Sequence, residues 1–123
     1  MKRDMDLFRS FLLKVEEQPF KAGFTGTYTN FGDIPGYSRE EVMYHAQLAQ
    51  DAGFIEAKFL PRDDFFVQRL TYAGHEFLDA AREEKLWNKA KQTVLANAGT
   101  LTVEALKIAL SLLMQQAARG MIA

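Results

Sequence analysis

Four residues near the middle of the chain, Ser38-Arg39-Glu40-Glu41, constrain its folding more than any other stretch. A serine three positions before a glutamate is a capping box, in which the hydroxyl oxygen accepts from the third helical amide and the carboxylate reaches back to the serine amide. A helix therefore begins there, and Val42, His45, Ala46, Ala49 and Ala52 repeat at the spacing that places them on one face. Gly53 follows, the residue best suited to the left-handed conformation that closes a helix. Phe54 to Leu60 then alternates Ile55, Ala57 and Phe59 against Glu56 and Lys58, Pro61-Arg62-Asp63-Asp64 supplies turn residues, and Phe65 to Leu70 is again strand-like. No linker separates helix from strand, so the segment predicts a helix running straight into a β-hairpin.

The flanks extend this unit. Met5, Phe8, Phe11, Leu12 and Val15 recur at helical spacing between Asp4 and Glu17, with Asp4 and Asp6 where a helix N-terminus favours acids, and Gln18-Pro19 stops the run. Phe24 to Thr29 alternates large residues with small ones and is rich in threonine, as a short strand would be, and Asn30 to Tyr37 holds Gly32, Asp33, Pro35 and Gly36, a loop signature. After the hairpin, Thr71 caps a long helix through Tyr72, Phe77, Leu78, Ala81, Trp87, Ala90 and Val94, which Asn97-Ala98-Gly99 ends. Thr102 caps a last helix with Val103, Leu106, Leu110, Leu113 and Ala117 on one face, ending at Gly120.

Helix, strand, helix and hairpin in this order predict an α+β, winged-helix-like domain with a two-helix C-terminal extension. The 123 residues suit a single domain, with the winged-helix core in 1–70 and the extension in 71–123. Phe8, Phe11, Leu12, Val42, Ala46, Ala49, Ile55, Leu70, Phe77 and Leu78 are expected to share one buried cluster.

The same residues argue against catalysis and cofactors. There is no cysteine, which excludes disulfides and thiolate chemistry and fits a reducing, cytoplasmic setting. Charges interleave the first seventeen residues, so these do not form a signal-peptide core, and no uncharged run reaches membrane-spanning length. His45 and His75 are the only histidines and lack metal-site spacing; His45, on the inward stripe, is expected to be a neutral, hydrogen-bonded core residue. Glu16-Glu17, Glu40-Glu41, Asp63-Asp64 and Glu83-Glu84 are adjacent pairs, which on a helix point about 100° apart and cannot share a proton. None of Ser10, Ser38 and Ser111 sits in a nucleophile elbow. The expectation is a non-enzymatic binding protein with no metal and no cofactor.

Two partner classes fit. As a DNA-binding transcriptional regulator, the Ser38 helix would present Arg39, Met43, Tyr44, Gln47 and Gln50 outward, Arg39 and Gln47 reading base edges and Tyr44 meeting a phosphate or a thymine methyl, while Lys58, Arg62 and Arg69 hold phosphates from the wing. As a protein-interaction module, Met43 and Tyr44 would lie exposed beside Phe65 and Phe66, since methionine and aromatic side chains favour protein interfaces. The net charge of −1 supplies no overall attraction to nucleic acid. The stripe Val103, Leu106, Leu110 and Leu113 needs a cover, either Trp87 and Val94 of the same chain or a second copy across a two-fold axis.

The opening Met1-Lys2-Arg3-Asp4-Met5-Asp6-Leu7, the stretch from Gly36-Tyr37-Ser38 through Tyr44-His45 to Gly53-Phe54-Ile55, and Leu70-Thr71-Tyr72-Ala73-Gly74-His75 together resemble a bacterial and phage-encoded family defined as a domain of unknown function. The resemblance implies a winged-helix-like fold and a prophage or mobile-element context, with no catalytic residues to carry over. Val42 to Ile55 is also similar to the recognition helix and wing entry of bacterial multidrug-resistance and arsenic-type repressors.

Overall fold

In a computed structural model, residues 1–18, 34–62 and 64–122 are described. The described residues form five helices and one two-stranded antiparallel hairpin, an α+β arrangement: α1 (Met5–Glu17), α2 (Arg39–Asp51), β1 (Ile55–Leu60), β2 (Asp64–Leu70), α3 (Tyr72–Ala81), α4 (Glu84–Ala98) and α5 (Val103–Ile122). The strand expected at Phe24 to Thr29, and the first part of the loop after it, lie outside the described residues.

Each helix starts where a local acceptor is available. The Asp4 carboxylate accepts from the amides of Asp6 and Leu7 at 2.9 and 3.1 Å and opens α1. Gln18 is extended, as the residue before a proline is forced to be. Both halves of the capping box form at α2, the Glu41 amide donating to Ser38 Oγ at 3.1 Å and the Ser38 amide to Glu41 Oε1 at 2.9 Å. Gly53 at φ +80° turns the chain out of α2 and into β1, which its side-chain neighbours on either side would resist.

The predicted long helix from Thr71 to Asn97 is instead two. It breaks at Arg82-Glu83, where Glu83 leaves helical geometry and its carboxylate accepts from the Leu86 amide at 2.7 Å, capping α4. The apolar period of Ala81 and Trp87 runs through this break, which is why spacing alone does not reveal it. The C-terminal part thus holds three helices rather than two, and α5 continues past Gly120 to Ile122.

The chain divides into two compact units, Met1–Glu76 and Phe77–Ala123, the boundary falling within α3. In the first, α1 packs on α2 and on β2, and α2 on β1, enclosing Phe8, Phe11, Leu12, Val42, Ala46, Ala49, Ile55 and Leu70. In the second, α4 packs on α5 around Trp87, Ala90, Val94, Leu106 and Leu110. Every residue expected in the core is buried, and Phe77 and Leu78 fall in the second unit, where the Phe77 ring meets Trp87 edge-on at 6.3 Å.

Candidate binding face

The hairpin pairs Ile55 with Leu70 and Leu60 with Asp64, with a bulge between Glu56 and Ala57. The Ala57 amide, on β1, donates to Gln50 Oε1 at 2.6 Å, so Gln50 ties α2 to β1 and is not a reading side chain on an outward face.

Phe65, Phe66 and Val67 are consecutive and all buried, and because successive strand residues point to opposite sides, β2 is covered on both faces there. The Phe65 ring lies 6.4 Å from Phe11 of α1 and stacks on Phe59 of β1 at 5.7 Å. The aromatic patch expected at Phe65 and Phe66 is therefore core. Met43 and Tyr44, expected to be exposed, are half-buried, with the Tyr44 ring edge-on to His45.

Charge on this face is largely cancelled. Arg39 Nη2 lies 3.3 Å from Asp64 Oδ1, and Arg69 Nη2 lies 2.8 Å from Glu56 Oε1. The hydrogen bond and the opposite charge between the latter pair hold Glu56 below the ordinary carboxylate range and Arg69 above its usual value. Both pairs are solvent-accessible, so neither adds much stability, but each places a carboxylate where an arginine would otherwise meet a phosphate. Lys58 and Arg62 are exposed and form no ion pair with any described residue. Gln47 is half-exposed on α2. Asp63 lies outside the described residues.

Away from that face, His45 is almost fully buried. Its Nδ1 lies 2.7 Å from the Glu41 carbonyl oxygen, which can only accept, and its Nε2 takes the Asp4 amide at 2.8 Å. The ring is thus neutral and protonated on Nδ1. The Tyr37 hydroxyl donates to Asp4 Oδ2 at 3.0 Å. One aspartate caps α1, anchors Tyr37 and offers its amide to His45, which joins three segments that are far apart in sequence. Sequence reasoning places His45 correctly but finds neither partner, because no spacing rule links positions 4, 37 and 45. Among the described residues no three metal-ligating side chains gather, and no helix is long and apolar enough to cross a membrane.

In the second unit, the α5 stripe proposed for dimerisation is spent within the chain. Leu106 and Leu110 are fully buried in the unit where α5 packs on α4, and Val103 and Leu113 are half-buried. Of the two covers expected for this stripe, the geometry has the intramolecular one.

A family model described as "Hypothetical protein (DUF2513)" matches residues 2–100. The chain belongs to the DUF2513 family. A relative from Haemophilus influenzae, described as "Uncharacterized protein", is 38% identical over 110 residues, covering 87% of this chain and 90% of the relative. No solved structure matches. From Lys2 on, the segments that resemble a family in the sequence lie inside the DUF2513 match, and in the fold they meet one another. Asp4 of the opening joins Tyr37 and His45, while Thr71 and Gly74 lock onto Gly53 and Phe54: the Thr71 hydroxyl donates to the Gly53 carbonyl and accepts from the Gly74 amide at 3.1 Å, and the Thr71 amide donates to the Phe54 carbonyl at 2.9 Å. These residues of the DUF2513 segment hold the first unit together. The match ends before α5.

Proposed function

We infer that the protein is a non-enzymatic, winged-helix-like binding module whose partner is another protein, engaged by the face that α2 and the hairpin share. The observation that carries this reading is the pairing of Arg39 with Asp64 and of Arg69 with Glu56. Of the four basic residues a DNA-reading helix and wing would use, two already face carboxylates, and Glu40 and Asp51 add negative charge along α2. What this leaves is a near-neutral face of Met43, Tyr44 and Gln47 bordered by Arg62 and Lys58, and methionine, tyrosine and arginine are the residue types enriched in protein interfaces. A prophage or mobile-element context, implied by the family resemblance, suits a modulator of a host protein.

The DNA-binding regulator is the second reading, favoured by one observation: α2 enters the hairpin directly, and the exposed Lys58 and Arg62 lie on β1 and at the turn that follows it. Fluorescence anisotropy with a mixed-sequence duplex at about 50 mM salt separates the two, since non-specific affinity alone registers at high micromolar protein. No binding is expected. Binding that weakens steeply as salt rises overturns the protein reading in favour of the regulator. A photo-crosslinking residue in place of Tyr44 is expected to trap a discrete protein adduct in cells, with none from the exposed Lys89 position.

A further inference from the structure

The inward side of α5 is covered only as far as Leu113; from Met114 to Met121 every residue is exposed. Its outward side is also apolar where a surface helix would be polar, with Ile108 61% and Leu112 54% exposed. Between Lys107 and the end of the helix the only charge is Arg119. A helix apolar on more than one side is normally enclosed, and two to three turns without tertiary cover are marginal in water. The outward stripe has a further property. Glu104, Ile108, Leu112, Gln115 and Arg119 follow at intervals of four, four, three and four, so they line one face, with an acid at its start and a base at its end.

We propose that this face is the contact between two copies of the chain, paired through α5 in antiparallel fashion about a two-fold axis near Ser111 and Leu112. The charge pattern selects both the occupant and the direction. Glu104 and Arg119 are fifteen residues apart, about 22 Å along a helix, and reversing one copy about the midpoint sets Glu104 against Arg119 of the second copy at both ends. Ile108 then meets the stem of Gln115, and the two Leu112 side chains lie beside the axis. A parallel pair would instead oppose Glu104 to Glu104 and Arg119 to Arg119. A two-fold contact requires one surface to complement itself, and this stripe does. Glu104 also lies 3.5 Å from Lys107 of its own helix, both of them solvent-accessible, so that exposed pair is readily shared with the second copy. The stripe is separate from the intramolecular face of Leu106 and Leu110, and the proposal is independent of the α2–hairpin reading.

A pair of single helices of this length sits at the small end of stable interfaces, so the association is expected in the micromolar range. Sedimentation equilibrium of the full chain between about 10 and 300 μM should show a monomer–dimer equilibrium in that range, and Leu112→Glu should give monomer throughout with its circular dichroism unchanged. Glu104→Arg or Arg119→Glu alone should weaken the dimer about tenfold or more, and the two together should restore it, which loss of folding would not do. Because the chain has no cysteine, direction can be read separately: Glu104→Cys mixed with Arg119→Cys should form a disulfide-linked pair on mild oxidation, and neither variant should link to itself. A monomer mass at 300 μM, or 104-to-104 and 119-to-119 links in place of the mixed one, overturns the proposal.

Discussion

Gly74 has no space for a methyl group. A Cβ built there would collide with the Phe54 carbonyl oxygen and lie 2.8 Å from Leu70 Cδ1. The backbone oxygen is held by the Thr71 amide and cannot swing aside. Gly74→Ala would gain up to about 1 kcal/mol of helix propensity and lose more to the clash, since overpacking against a fixed neighbour costs roughly 1–3 kcal/mol; chemical denaturation should show a net loss of stability. Tyr37 carries a different signature. Burial, then the hydrogen bond to Asp4 and the charges of Asp4, Asp6 and Glu41, hold its phenol above the ordinary value of 10.0. A raised pKa favours the protonated form in the folded chain, so its stabilising contribution is complete below pH 10 and is lost as pH rises from there through the folded value. Above pH 10 the native protein should lose stability more steeply than Tyr37→Phe in parallel alkaline melts. His45 makes the cost of a missing partner measurable: His45→Ala removes the acceptor of the part-buried Asp4 amide, an effect of about 1 kcal/mol, read by urea denaturation.

At the scale of elements, the hairpin stores strain at one identifiable place. Arg62 sits at φ 65°, a left-handed conformation that a side chain makes unfavourable by about 1–2 kcal/mol. Glycine removes most of that penalty and returns part of it as chain entropy, so Arg62→Gly should stabilise the protein by up to about 1 kcal/mol. A thermal melt that falls instead would mean the arginine makes a compensating contact at the turn. The helices show how small a local signal can redirect an element. One carboxylate, that of Glu83, marks the division of an apolar run into α3 and α4 by accepting from the Leu86 amide. At the other end of α4, Gly99 at φ +76° with its amide donating to the Leu95 carbonyl at 3.0 Å stops the helix in the manner its sequence predicts.

Over the whole molecule, charge is unevenly shared. Residues 1–76, which hold the candidate face, carry nine basic and twelve acidic side chains, a net −3; residues 77–123 carry six and four, a net +2. A nucleic acid approaching α2 and the hairpin meets the acidic unit. Only Lys58 and Arg62 are exposed there without an ion-pair partner among the described residues. Any duplex binding through that face should therefore show a log–log salt slope no steeper than about −2 per chain, taking about −0.9 for each phosphate neutralised. A steeper slope would show that Arg39 and Arg69 leave their carboxylates when DNA arrives.

What the sequence by itself determined is the set of features decided within about one helical turn. The capping box at Ser38, the Asp4 acids, the turn at Gly53, the Thr71 and Thr102 caps and the stop at Gly99 all form as their neighbours dictate, because each joins groups no more than four residues apart. The order of α2 and hairpin follows from them. The character of the candidate face was decided only by the tertiary structure. Arg39 finds Asp64 across 25 positions, His45 finds Asp4 across 41, and Gln50 finds the Ala57 amide of the strand that follows its helix. Periodicity assigns a residue to a side of its own element, and it carries no information on which other element will face that side. Hence the outward Gln50 and the exposed Phe65 and Phe66 expected from spacing are, in the fold, a strand tether and two core rings.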